Sequence, residues 1–148
     1  MKITATRKLE FDAGHRVLGH KGKCQHPHGH HYVAEITVSV LGLNSLGMVI
    51  DFGIIKERMG KWIDEYWDHN FLFNSLDPLY GHVACLTNPL ERVRIWSDRE
   101  PYIIPQEYPT AEVLAKLLFN RAIELLPEVS VESVKIWETP NSVAEFSA

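Results

Sequence analysis

Long apolar runs are missing from this 148-residue chain. No stretch reaches the roughly 18 apolar residues that a membrane helix needs. The opening Met1-Lys2-Ile3-Thr4-Ala5-Thr6-Arg7-Lys8 carries no apolar core of signal-peptide type. A cytoplasmic protein without membrane contact is therefore expected. Cysteine is scarce: only Cys24 and Cys85 are present. One pair cannot make a disulfide-stapled scaffold, and a reducing compartment favours free thiols. Internal repeats and low-complexity tracts are absent, which excludes solenoids and disordered linkers. An excess of positive charge is absent too. The formal net charge is -4, so bulk electrostatics exclude a general nucleic-acid binder.

One local absence points the other way. No acidic residue occurs between Asp12 and Glu35, whereas that window holds Arg16, Lys21, Lys23 and six of the eight histidines. Such a patch suits a metal or an anionic ligand; a merely basic, solvated loop is the plainer alternative. What remains is ordinary for one globular domain: 45% hydrophobic and 23% charged residues.

Residues 2–11 alternate imperfectly (Ile3, Ala5, Leu9, Phe11) and predict a strand. Residues 30–41 alternate better, with His30, Tyr32, Ala34, Ile36, Val38 and Val40 on one face. These two strands are expected to pair antiparallel across the Gly- and Lys-rich segment 19–23. Asp51 is a helix cap, followed by Phe52, Ile55, Met59, Trp62, Ile63 and Tyr66 at three- and four-residue spacing, with an end near Asp68. Residues 74–108 carry four prolines, with Pro109 just beyond, and read as a long excursion with a short strand at 93–96. Thr110 caps a second helix whose stripe is Val113, Leu114, Leu117, Leu118 and Leu125, and Pro127 stops it. Val131, Val134, Ile136 and Trp137 predict a third strand, and Val143–Phe146 a short fourth. The order strand, strand, helix, helix, strand, strand predicts an α+β domain: an antiparallel four-stranded sheet with two helices on one face.

His28-Gly29-His30 is an i, i+2 pair entering a strand. Period 2 puts both imidazoles on one face, about 6–7 Å apart along the strand. Both can reach one metal at about 2.0–2.1 Å. His15, at the end of the first strand, comes opposite them if the strands pair. Three neutral histidines with an open position is the arrangement of a catalytic zinc. Two alternatives stand beside it. Cys24 as a fourth ligand would close the site and make the zinc structural. Gly22, His28, His30, Glu35 and Gly42 fit the first motif of a cupin, in which Glu35 replaces His15. That reading lacks a second motif and does not suit two amphipathic helices. His20, His26, His31 and His82 are expected at the surface or behind the ligands.

The set as a whole resembles the 6-pyruvoyl/6-carboxytetrahydropterin synthase family. The matching segments are Phe11-Asp12-Ala13-Gly14-His15-Arg16, Cys24 with His28-Gly29-His30, Val49-Ile50-Asp51-Phe52, Trp67-Asp68-His69-Asn70, Pro109-Thr110-Ala111-Glu112 and Trp137-Glu138. The resemblance implies the tunnelling fold, whose sheets join into a barrel in a ring-shaped homo-oligomer, a hexamer, with active sites between subunits. It implies zinc on His15, His28 and His30 and a pterin triphosphate substrate, 7,8-dihydroneopterin triphosphate. It makes Cys24 the general base, Asp68 and His69 its acid–base partners, and Glu138 the carboxylate that anchors the pterin and joins the proton relay. Thr110 and Glu112 match further substrate contacts. Without the resemblance these residues have plain readings: a helix C-terminus for Asp68-His69, a cap and first-turn acid for Thr110 and Glu112, a surface acid for Glu138, an inert thiol for Cys24. Cys24 lies four residues before His28, as in the bacterial 6-carboxytetrahydropterin synthases of queuosine-type biosynthesis. The distance from Asp68 to Pro109, 41 positions, is longer than the family's usual interval, so an insertion at about 79–102 is expected.

Overall fold

A computed structural model describes residues 1–84 and 99–148. The two best-patterned segments form its longest strands, β1 (Ile3–His15) and β2 (His28–Val40). They pair antiparallel over their whole length, from Ile3 opposite Val40 to His15 opposite His28. Alternation does what the pattern requires. Leu9, Phe11 and Ala13 of β1 and Tyr32, Ala34, Ile36 and Val38 of β2 are buried on one face. Thr4, Thr6, Lys8, Glu10 and Asp12 stand exposed on the other. Phe11 stacks on Tyr32 with ring centroids 5.0 Å apart and tilts against Trp67 at 5.5 Å.

Helix α1 (Phe52–Ile55) is capped by the Asp51 carboxylate, which accepts from Gly53 N–H at 2.7 Å. It continues through a π-helical stretch (Lys56–Gly60) into α2 (Lys61–Tyr66). The residues it buries are Ile55, Met59, Ile63 and then Trp67, always four apart. Four-residue steps overshoot a 3.6-residue turn, and the wider i→i+5 turn absorbs the drift. This corrects the apolar stripe read from the sequence at its two ends, because Phe52 and Tyr66 are exposed.

The sheet differs from expectation. Among the described residues it has six strands, β1 and β2 with β3 (Asn70–Asn74), β4 (Tyr102–Ile104), β5 (Ser130–Thr139) and β6 (Ser142–Ser147), in the order β4-β3-β1-β2-β5-β6, and is mixed, in place of four antiparallel strands. The two additions are β3 and β4. β3 runs parallel to β1 over Ala13, Gly14 and His15 only, and β4 runs parallel to β3. Neither has the length or alternation that makes a strand legible, and β4 sits between Pro101 and Pro105, where an edge strand tolerates proline. The expected excursion thus contains regular structure, including α3 (Pro78–Ala84). The strand expected at 93–96 and Cys85 lie outside the described residues. At Gly14, an added Cβ would sit 2.6 Å from the Phe71 ring of β3, so any side chain there would force that ring to move.

Helix α4 (Ala111–Leu125) packs on β5 (Ser130–Thr139) and β6 (Ser142–Ser147), which pair antiparallel beside β2. The buried residues of the 52–66 helical segment and of α4 form one core with the inner face of the sheet. Among the described residues no helix is long and apolar enough to cross a membrane.

Candidate metal centre and adjoining cavity

The register of β1 and β2 sets His15 directly opposite His28, with His30 one pleat further along the same face. The ligand nitrogens of His15, His28 and His30 lie within 4.8 Å of one another. His15 is 2% exposed. Its Nδ1 is 2.6 Å from the carbonyl oxygen of Pro109, and the Nδ1 of His28 is 2.7 Å from the carbonyl oxygen of His26. A carbonyl can only accept, so in both rings Nδ1 carries the proton and Nε2 is left with a lone pair.

Those two Nε2 atoms face each other at 3.1 Å. No proton lies between them when both rings are neutral, and burial favours the neutral form of His15. Desolvation lowers its pKa against the opposing pull of Pro109 and Glu138, and His28 and His30 lower it further. His30 is lowered in the same way, first by burial. Its Nε2 is buried without a hydrogen-bond partner. Two facing lone pairs without a proton, with the partnerless Nε2 of His30 beside them, are satisfied by a cation. Two nitrogens bound tetrahedrally at about 2.0–2.1 Å stand about 3.3–3.4 Å apart, close to the 3.1 Å observed. The three histidines therefore fit a metal ion and can hold one.

Beside them opens a cavity of about 250 Å³, lined by His15, Cys24, Thr110, Glu112 and Glu138 among others. Each arrives by a different route. Cys24, a free half-buried thiol, sits in a short 3-10 turn between β1 and β2. Thr110 caps α4, and Glu112 is in its first turn. Glu138 comes from β5, with its carboxylate oxygens 3.5 Å from His30 Nε2 and 4.0 Å from His15 Nε2. A carboxylate, a thiol and a metal-binding triad thus converge on one small space.

Two features of this geometry bear on the alternatives to an open three-histidine site. Cys24 is not among the close donor atoms, so the triad is not closed by a thiolate. Glu35 belongs to the other face of β2, where it accepts from Trp137 Nε1 at 3.0 Å and pairs with Lys8 Nζ at 3.1 Å. It cannot complete a cupin metal site.

Asp68 and His69 are not brought to the cavity. They form a second cluster with Asp12. Asp68 Oδ1 accepts from the Asp12 backbone N–H at 2.8 Å, and Oδ2 pairs with His69 Nδ1 at 2.7 Å. Burial pushes the Asp68 carboxyl up, but the Asp12 amide, His69 and Arg99 together hold it below its ordinary range. His69 is raised by its bond to Asp68. His31, opposite Asp12 in the register, pairs with the Asp12 carboxylate at 2.9 Å.

Arg16, one of the cations considered for an anionic ligand, is already engaged. Its Nε and Nη2 donate to the two oxygens of the buried Asp77 at 2.7 and 2.5 Å. Asp77 also accepts from Leu79 N–H at the start of α3. No sequence pattern marked Asp77, because its partner is 61 positions away.

The profile of the 6-pyruvoyl tetrahydropterin synthase family matches residues 4–148. The chain belongs to that family. A protein of Rickettsia typhi named 6-carboxy-5,6,7,8-tetrahydropterin synthase is 40% identical, over 97% of this chain and 99% of its own length. One of the same name from Aquifex aeolicus is 33% identical over 99% and 98%. The solved structure of the 6-pyruvoyl tetrahydropterin synthase of Plasmodium vivax superimposes with a TM-score of 0.73 at 21% identity, over all of this chain and 98% of that one. That likeness shows the shared fold, a curled mixed sheet with few helices.

Proposed function

We propose that this chain is a 6-carboxy-5,6,7,8-tetrahydropterin synthase, a cytoplasmic lyase acting on 7,8-dihydroneopterin triphosphate with release of acetaldehyde and triphosphate, in queuosine-type (7-deazaguanine) biosynthesis. The observation that carries the reading is the cluster of His15, His28 and His30 ring nitrogens at the wall of a cavity that also contains Cys24 and Glu138. The names of the relatives agree with it.

His15, His28 and His30 would hold zinc. When bound, the ion supplies Lewis acidity toward the hydroxyls of the substrate's side chain. The remaining roles belong to the chain. Glu138 is a fixed acceptor for the paired N–H donors of the pterin ring, a bidentate and charge-assisted contact. Thr110 and Glu112 line the same wall and orient the ring. Cys24 takes the proton from the side-chain carbon, and the Asp68–His69 pair accepts and returns it. Within one chain that pair belongs to a different cluster from the cavity, which supports a site shared between copies in a ring-shaped homo-oligomer, a hexamer.

Incubating the zinc-loaded protein with dihydroneopterin triphosphate and weighing the products tests this. Acetaldehyde with carboxytetrahydropterin is the expected result. The name of the family profile favours one second reading, 6-pyruvoyltetrahydropterin as product, and that mass would move the chain to the other branch. An absence of turnover refutes the lyase assignment.

A further inference from the structure

Helix α2 ends at Tyr66, so its last carbonyls have no partner within the helix. One side chain from far along the sequence takes them. Arg99 Nη1 donates to Asp64 O at 2.9 Å and to Glu65 O at 3.3 Å, and its Nη2 donates to Asp68 O. A cation there is favoured by the helix dipole, and the rigid guanidinium fork can hold several acceptors at once. Asn70 ties the neighbouring backbone to the same turn: its Nδ2 donates to Tyr66 O at 2.9 Å and to Glu100 O at 3.1 Å.

The third acceptor matters most. The Asp68 carbonyl belongs to the peptide that joins Asp68 to His69. His69 has φ of 53°, in the left-handed region where a histidine is strained. Rotating that peptide would let His69 relax. It would also turn the Asp68 carbonyl away from Arg99 and the His69 N–H away from Asp12 O, which now accepts it at 2.6 Å. The strained residue is thus held from both sides: Asp12 fixes its N–H, and Arg99 fixes the carbonyl before it. With the peptide fixed, His69 Nδ1 stays on Asp68 Oδ2.

We propose that Arg99 is a positioning residue for the Asp68–His69 pair, locking the left-handed peptide that aims the His69 imidazole. The inference rests on the reading above that this pair takes part in proton transfer. It couples the end of the 79–102 segment to the chemistry without contact with the substrate.

The test compares zinc-loaded full-length wild type with Arg99→Ala, Arg99→Lys and His69→Ala. It measures kcat and KM with dihydroneopterin triphosphate, zinc content, and the His69 ring signals in ¹⁵N NMR, assigned by their loss in His69→Ala. In Arg99→Ala, kcat is expected to fall about 10- to 100-fold, the scale of a misplacement near 1 Å. KM and zinc content should stay within twofold and the His69 signals should move. Arg99→Lys, which keeps a cation for some of the carbonyls, should recover part of kcat. Unchanged kcat in Arg99→Ala, or a fall with unmoved His69 signals, overturns the inference, as does a loss that only tracks zinc or folding in both Arg99 variants. Should Arg99→Ala be inert while His69→Ala abolishes turnover, the pair's catalytic role survives and only the role of Arg99 is lost. Wild-type turnover in His69→Ala removes the catalytic reading itself, and this inference with it.

Discussion

If His15, His28 and His30 share one ion, zinc must stabilise the fold, and removing one imidazole must remove most of that effect. A ligand that binds only the native state at 100 times its Kd stabilises by about 2.7 kcal/mol. Unfolding entropy near 60 °C is about 2.1 cal/mol/K per residue. For 148 residues that makes about 0.31 kcal/mol/K, so zinc should raise Tm by about 9 °C. His30→Ala leaves two nitrogens. Loss of a partner that merely supports a ligand costs about 10–100-fold in affinity, and a ligand at least the upper figure. At the same free zinc, the variant then sits near its Kd, gains about 0.4 kcal/mol and shifts by about 1 °C. Scanning calorimetry with zinc buffered at a fixed free concentration, against chelator, reads both numbers. Each zinc shift is read against the apo form of the same variant, because His30→Ala also removes the 3.5 Å contact with Glu138 and the ring packing on Tyr32. A zinc shift as large in His30→Ala as in wild type would refute the shared site. So would a shift that persists there but vanishes in Glu35→Gln.

Cys24→Ala should keep the full zinc-induced rise in Tm and lose about 10²–10⁴-fold in turnover, the usual share of a general base; loss of bound zinc in that variant would make Cys24 a ligand. Phe11 is 2% exposed between Tyr32 and Trp67, so Phe11→Ala should cost about 3–5 kcal/mol in denaturant unfolding; a loss under about 1 kcal/mol would mean that the core collapses around the gap. Asp77→Ala leaves the Arg16 guanidinium without its carboxylate and should cost about 3 kcal/mol at pH 7. The guanidinium of Arg16 holds the Asp77 carboxyl below its ordinary 3.8. Its contribution is therefore complete above that pH and is lost as pH falls through the lowered native value. The gap between wild type and variant should shrink in acid, and a gap independent of pH would contradict the ion pair.

The parts of the fold that were legible are those with a local cause. Alternation predicted β1 and β2. Asp51 and Thr110 marked the helix starts because a short polar side chain there accepts a free N–H. The two capped helices and the last two strands follow from periodicity and from Pro127. The misses share a different cause. β3 and β4 are short, lie among turn formers, and are strands only because β1 offers a free edge at Ala13–His15. The six-stranded mixed sheet depends on that contact, which no window of sequence contains.

The candidate site divides in the same way. His28 and His30 had to share a face, because the strand period is two. Their pairing with His15 needed only the hairpin. The proton on His15 Nδ1, however, is fixed by the carbonyl of Pro109, 94 positions away. The separation of Asp68–His69 from the cavity, the engagement of Arg16 by Asp77, and the hold of Arg99 on the Asp68 carbonyl were likewise decided by topology. Sequence by itself determined which residue types stand at each position and which face of a strand each takes, since those follow from covalent order and backbone period. Tertiary structure alone decided which lone pairs are left without protons and which charges are already paired, since each depends on a partner that the chain must fold to meet.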